Sequence, residues 1–183
     1  MKIIKKAKIF LFILLIIIIF IPLGFSEECQ RGSYFIRNYT PEEYRGFPQV
    51  WAVIQDKRGI MYFGSSDGII EFDGIKWDII KIRDNKTIRD LEIDSNGIIY
   101  VGAIGDFGYL SFTESGKTIY KSLVPLLKNS NRNINNIFEI HTLSSGVYFI
   151  EENKIFRYYN NKIEIIPVSL RSKGTVINDM IFA

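Results

Sequence analysis

The sequence predicts an all-β protein made of β-propeller blades, four-stranded antiparallel meanders stacked side by side. Three observations predict it. A strand-turn-strand phrase, Trp51–Gly64, returns as Arg89–Gly102, with Asp56, Gly59, Tyr62 and Gly64 recurring as Asp94, Gly97, Tyr100 and Gly102 at a displacement of 38 residues. A fixed period in this range marks a repeat architecture. Beyond the N-terminal segment, no stretch sustains an apolar 3.6-residue period. Short runs rich in Ile, Val, Tyr and Phe alternate instead with Gly, Asn, Asp and Ser clusters, the pattern of strands and turns.

The chain has 183 residues, enough for one domain of ordinary size. Residues 1–26 read as a signal peptide. Lys2, Lys5, Lys6 and Lys8 form a charged head, Ile9 to Ile21 is an unbroken apolar run of 13 residues, and Gly24-Phe25-Ser26 offers small residues for cleavage. The run is short for a membrane span, which needs ~20 apolar residues. An uncleaved N-terminal anchor is the alternative. Removing the four lysines takes the formal net charge from +3 to about −1. No basic cluster remains, so the mature region has no electrostatic footprint for nucleic acid. Cys29 is the only cysteine, which excludes an internal disulfide and a cysteine-based zinc site. Glu28 directly before it argues against lipid attachment.

A lead-in segment occupies residues 27–49, and Pro41-Glu42-Glu43 in it suits one helical turn. A partial propeller then fills 50–183, with blades at about 50–82, 88–120 and 137–166 and a fourth beginning at 176. The first blade is read as strands Val50–Gln55, Ile60–Phe63, Ile69–Phe72 and Trp77–Ile82, separated by turns carrying Gly59, Gly68 and Gly74. Glycine suits such turns because it takes positive φ without steric cost. The second blade is read as Ile88–Ile93, Ile98–Gly102, Phe107–Phe112 and Thr118–Tyr120, with Asn96-Gly97 as its first hairpin turn. Ser122 to Asn136 is a longer polar connection. The third blade, more diverged, is read as Ile137–Thr142, Val147–Ile150, Ile155–Tyr159 and Ile163–Ile166.

In the fourth unit, Ile177-Asn178-Asp179-Met180 matches Ile88-Arg89-Asp90-Leu91. A single blade cannot bury both its faces, and closed propellers use about four to eight. The expectation is therefore an incomplete ring of about three blades plus one strand, the N-terminal part of a longer protein. The alternative is a complete small β protein or an open solenoid.

Several phrases carry a family resemblance. Gln49-Val50-Trp51, Gln55-Asp56, the run Gly59–Gly64, the run Gly68–Gly74 and Trp77 resemble the first blade of the two-component regulator propeller family. The run Asn96–Gly102, Gly105–Tyr109, Tyr120–Leu123 and the lead-in Tyr39–Tyr44 are similar to further wording of that family. The resemblance covers roughly residues 34–183. It implies a periplasmic sensor propeller of a signal-transduction receptor, non-catalytic in itself. In such proteins a Tyr-rich β-sandwich, a membrane helix and a cytoplasmic output domain follow. The partners so implied are a small-molecule or glycan ligand, the remainder of the same receptor chain and, where signalling uses a homodimer, a second copy. No cofactor is implied. The location implied is extracytoplasmic, with membrane anchorage through the signal segment or a downstream helix.

Residues with chemistry of their own are few, and no catalytic, metal or ligand residue is assigned. His141 is the only histidine and falls in an expected inner strand, where a structural role is favoured. Asp94-Ser95-Asn96-Gly97 lacks the alternating ligands of a calcium loop and reads as a turn, with Asp94 accepting from backbone N–H groups two residues on. Trp51 and Trp77 are assigned to packing between strands, with ligand stacking as the alternative. Arg89, Asp90 and Glu92 lie near the mouth of the expected ring and are the weakest binding candidates. A surface-exposed adhesive repeat protein and a propeller-type carbohydrate-active enzyme are the competing functions. The enzyme would need acids or a metal converging on the channel, and none is expected here.

Overall fold

The structure is a computed structural model that describes residues 36–168, 175–177 and 180–182. The chain divides into two compact units, Met1–Arg37 and Asn38–Ala183. The first contributes only Ile36 and Arg37 to the described residues. The residues read as a signal peptide and Cys29 lie outside them. All the elements described below belong to the second unit.

A single helical turn, α1 (Pro41–Tyr44), opens it. Proline begins the turn, and the Glu43 carboxylate accepts the Thr40 N–H at 2.8 Å. This closes one of the donors that a helix start leaves unpaired.

Three four-stranded antiparallel sheets come next, each a simple meander. The first comprises β1 (Val50–Gln55), β2 (Met61–Ser65), β3 (Gly68–Phe72) and β4 (Trp77–Ile80). The second comprises β5 (Ile88–Ile93), β6 (Ile99–Ala103), β7 (Asp106–Phe112) and β8 (Thr118–Ser122). The third comprises β9 (Glu139–Leu143), β10 (Gly146–Ile150), β11 (Lys154–Tyr159) and β12 (Lys162–Pro167). The first strands β1, β5 and β9 lie beside one another, and each sheet packs its face on the next. That is the arrangement of propeller blades, with β1, β5 and β9 as the inner strands and no closed barrel.

Each strand lies within a residue or two of its expected place. β13 (Thr175–Ile177) and β14 (Met180–Phe182) differ from expectation. They pair antiparallel with each other where the sequence suggested one continuous strand from 176.

The repeated turns are the same object built twice. Asp56 Oδ1 accepts the N–H groups of Arg58 and Ile60 at 2.8 and 3.1 Å. Asp94 Oδ1 accepts those of Asn96 and Ile98 at 3.0 and 2.8 Å. The glycine that ends each, Gly59 or Gly97, has φ +86°. A short carboxylate can satisfy two backbone donors in a turn while the glycine takes the left-handed conformation. Asp94 is thus a turn residue, as its sequence context suggested.

The cores lie between sheets. Tyr62, Ile69 and Ile80 of the first blade pack with Ile88, Leu91, Val101 and Ala103 of the second. Tyr100 and Phe107 of the second pack with Ile140, Val147, Phe149 and Phe156 of the third. Every residue of β6 is buried, and its alternating side chains serve both cores. The connection after β8 is less polar than its sequence suggests. It folds into two short 3-10 turns, Val124–Leu126 and Asn129–Asn131, and buries Leu123, Leu127 and Ile134 in the second core.

The repeated glycines Gly64 and Gly102 set the distance between blades. A Cβ added at Gly64 would lie 2.7 Å from Ile88 Cγ2, and one at Gly102 would lie 2.7 Å from Ile137 Cγ2. Overpacking of this kind costs roughly 1–3 kcal/mol. Gly64→Ala and Gly102→Ala are each expected to destabilise the protein by about that amount. Urea unfolding of the two variants against the parent measures it. A change below about 0.5 kcal/mol in both, the level of an ordinary surface substitution, would refute the spacing role.

Candidate functional site

The inner strands carry the polar side chains that the blades bring together. Two of these strands are irregular in the same place. Pairing of β1 with β2 slips between Val50 and Ala52, and pairing of β5 with β6 slips between Ile88 and Asp90. Trp51 and Arg89 are the extra residues of these bulges. A bulge bends its strand and re-aims the side chain it carries. The Arg89 guanidinium lies 3.9 Å from the centre of the Trp51 ring, so the two bulges meet across the junction of the first two blades. The indole N–H points to Ser66 Oγ at 3.4 Å. Trp51 is nevertheless 42% exposed. The assignment to packing thus holds for Trp51 in part: its ring meets Arg89 of the next blade, and the rest of it is exposed. A cation–π pair at an exposed site contributes only ~0.5–1 kcal/mol, and much of the indole still faces solvent.

Trp77 does pack. It stacks on Phe72 at 4.0 Å and meets Tyr39, Tyr44 and Phe63 at 5.0, 5.7 and 5.8 Å between ring centroids. Tyr39 and Tyr44 are thereby held against the first blade.

Further along the inner strands stand Asp90 and Glu92 on β5 and Glu139 and His141 on β9. Asp90 Oδ2 accepts the backbone N–H of Ile140 at 2.7 Å, a bond that joins the second blade to the third. Its Oδ1 accepts the N–H of Leu91 at 3.0 Å. Burial raises the Asp90 pKa above the ordinary aspartate value, and Glu139 adds to the effect, while the backbone bonds and His141 act against it. Burial also raises Glu92, with the Asp90 charge adding to it and a hydrogen bond to Thr142 opposing. His141 Nε2 lies 3.7 Å from Glu139 Oε2. Acids that the sequence reading did not group therefore lie near one another on the inner strands, with Asp90 close enough to Glu92 and Glu139 for their charges to matter. His141 also has a carboxylate neighbour, Glu139, two residues earlier on the same face of β9. Among the described residues, no three His, Cys, Asp or Glu side chains are grouped as a metal site. No helix among them is long and apolar enough to cross a membrane.

At the other end of the inner strands, a cleft of about 620 Å³ opens between the second and third blades. The turn Asp94–Ile98 and Tyr100 of the second blade line it, together with Thr142, Tyr158 and Tyr159 of the third. Sequence reasoning found its parts only as turn and strand residues. Tyr100 is raised to about 12, first by burial and then by the neighbouring Asp94 charge.

The weakest sequence candidates, Arg89, Asp90 and Glu92, thus all belong to the inner wall in three different relations. Arg89 covers Trp51, Asp90 ties two blades together and Glu92 bonds Thr142. The pH dependence of stability follows from the raised groups. A carboxyl whose folded pKa exceeds its unfolded value favours the folded state below the unfolded pKa, and this contribution is lost as pH rises through the folded value. For Asp90 and Glu92 the contribution is complete below the ordinary values of 3.8 and 4.5 and is lost above the raised ones. Asp56, held low by Arg58 and backbone donors against its burial, acts in the opposite sense. Glu92→Gln isolates one component. It is expected to gain stability on the parent at neutral pH and to lose that advantage in acid, as measured by urea unfolding across the range. An advantage independent of pH would contradict the assignment.

No protein-family model matches the chain, and no curated protein matches it. Among solved structures it is similar to a catalytically inactive virginiamycin B lyase from Staphylococcus aureus, determined with quinupristin. The identity is 15% and the TM-score 0.48, over 69% of this chain and 44% of that one. The chain therefore spans less than half the length of that protein. The inner strands here carry Asp90, Glu92, Glu139 and His141, with Asp90 near enough to the others for their charges to act on it. The expectation that this region is not an enzyme is withdrawn on that grouping of ionisable side chains.

Proposed function

We propose that the chain forms the extracytoplasmic recognition region of a signal-transduction receptor, reading a small molecule or glycan at the mouth of its inner strands. The observation that carries this reading is the half-exposed Trp51 ring beneath the Arg89 guanidinium, set out by two matching bulges. An aromatic face suits the C–H face of a sugar ring, and a guanidinium beside it suits a hydroxyl or carboxylate. Two sequence features add support, the export signal pattern and the resemblance to the two-component regulator propeller family. In this reading the chain works outside the cytoplasm. The full-length protein is anchored in the membrane, and the output lies in the remainder of the receptor. Binding shifts the receptor between states only by its difference in affinity for them.

One observation favours a second reading. The raised carboxyls of Asp90 and Glu92 beside Glu139 and His141 suit acid–base chemistry on a bound glycan. Turnover lost in Glu92→Gln with ligand binding retained would decide for it.

A saccharide panel containing neutral and uronic acid oligomers, titrated calorimetrically, tests recognition. Saturable binding of a panel member is expected, weakened at least about tenfold in Trp51→Ala and in Arg89→Ala, each loss equal to about 1.4 kcal/mol. Equal binding by both variants would overturn the reading.

A further inference from the structure

We propose that the cleft between the second and third blades binds a guanidinium group carried by a ligand, such as the arginine side chain of a peptide. This goes beyond the recognition site at Trp51 and lies at the opposite end of the inner strands.

The chain contains its own template for such a complex. At the junction of the first two blades, Arg58 leaves the β1–β2 turn. Its Nε and Nη2 donate to Asp56 Oδ2 at 2.9 and 2.7 Å, and Nη2 also donates to the Tyr62 hydroxyl at 3.1 Å. The guanidinium carbon lies 5.0 Å from the centre of the Phe112 ring of the second blade. Lys57 Nζ reaches the same blade and donates to the Ser95 carbonyl at 3.0 Å. A carboxylate, a tyrosine hydroxyl and an aromatic ring thus hold an internal cation across that junction.

The receptor half of this arrangement recurs 38 residues on, without the cation. Asp94 and Tyr100 occupy the places of Asp56 and Tyr62, and the turn has the same backbone hydrogen bonds and the same φ at its glycine. The Tyr100 hydroxyl lies near Asp94, as that of Tyr62 points to Asp56 Oδ2 at 3.5 Å. Ser95 and Asn96 stand where Lys57 and Arg58 stood. Both are too short to cross to the next blade, and Asn96 Nδ2 stays 3.5 Å from its own Asp94 Oδ2. The cleft of about 620 Å³ opens at this place, with Tyr158 and Tyr159 on its far side.

The cations at its rim are already engaged. Lys57 holds the Ser95 carbonyl. Arg157 donates to the Ser145 carbonyl and to Glu164, with its guanidinium 5.4 Å from the Tyr159 ring. A planar guanidinium from outside can bond a carboxylate through two N–H groups while its face meets an aromatic ring, which a spherical ammonium cannot do equally well.

Titration of the full chain with N-acetyl-arginine methylamide, read by calorimetry and tyrosine fluorescence, tests the proposal. The citrulline counterpart is the neutral control. Two variants accompany the parent. Asp94→Asn keeps an oxygen to accept the turn N–H groups and removes the charge. Asn96→Arg restores the internal plug of the first repeat. The parent is expected to bind the arginine probe saturably and at least tenfold tighter than the citrulline one. Asp94→Asn is expected to lose that preference. Asn96→Arg is expected to lose binding while melting no lower than the parent, which separates a filled cleft from a damaged fold. Trp51→Ala is expected to bind the arginine probe as the parent does, so this site and the proposed ligand site can fail independently. Absence of binding in the parent, equal affinity for the two probes, or unchanged affinity in Asn96→Arg would each overturn the proposal.

Discussion

The fold depends on burial between sheets. Neither face of a four-stranded meander this small can be shielded from water by its own residues. Apolar surface removed from water contributes roughly 25 cal/mol per Å², and here that removal happens where one blade meets the next. Tyr62 and Tyr100, two residues before Gly64 and Gly102, face the following blade as those glycines do. The bulky residue supplies buried area, and the glycine lets the branched side chain of Ile88 or Ile137 come close. The pair Tyr-x-Gly is thus a packing instruction addressed to the neighbouring repeat.

Much of the fold was legible because the instructions for each blade are local. Asp56 and Asp94 act within four residues of themselves, so the turns they close can be read from a short window. Strand ends were less legible. The pairing Ser65 with Gly68 continues the ladder past Phe63, where the turn signal already begins. The connection after the second blade was misjudged for a different reason. Leu123, Leu127 and Ile134 are spaced irregularly among polar residues, and only the neighbouring blade reveals why they are apolar.

The functional surfaces were legible in part, and distance along the chain explains the difference. Trp51 and Arg89 meet at equivalent positions of successive repeats, and the bulges that aim them have no sequence mark of their own. Asp90 reaches Ile140 across 50 residues. A charged residue on a strand is ordinarily a solvated one, so its engagement with another blade could not be inferred from its surroundings in sequence. The cleft beside Asp94 is harder still to foresee, because it is defined by what Ser95 and Asn96 do not fill.

Each of the two cores belongs to two sheets only, and the second sheet, through β6 and β7, contributes to both. A substitution in an outer blade is therefore felt across one boundary and dies out there. This gives the architecture a modular tolerance: one boundary can exchange long cations for a short hydroxyl and a short amide while the adjacent one keeps its plug. New specificity can arise at a single seam without renegotiating the rest of the stack.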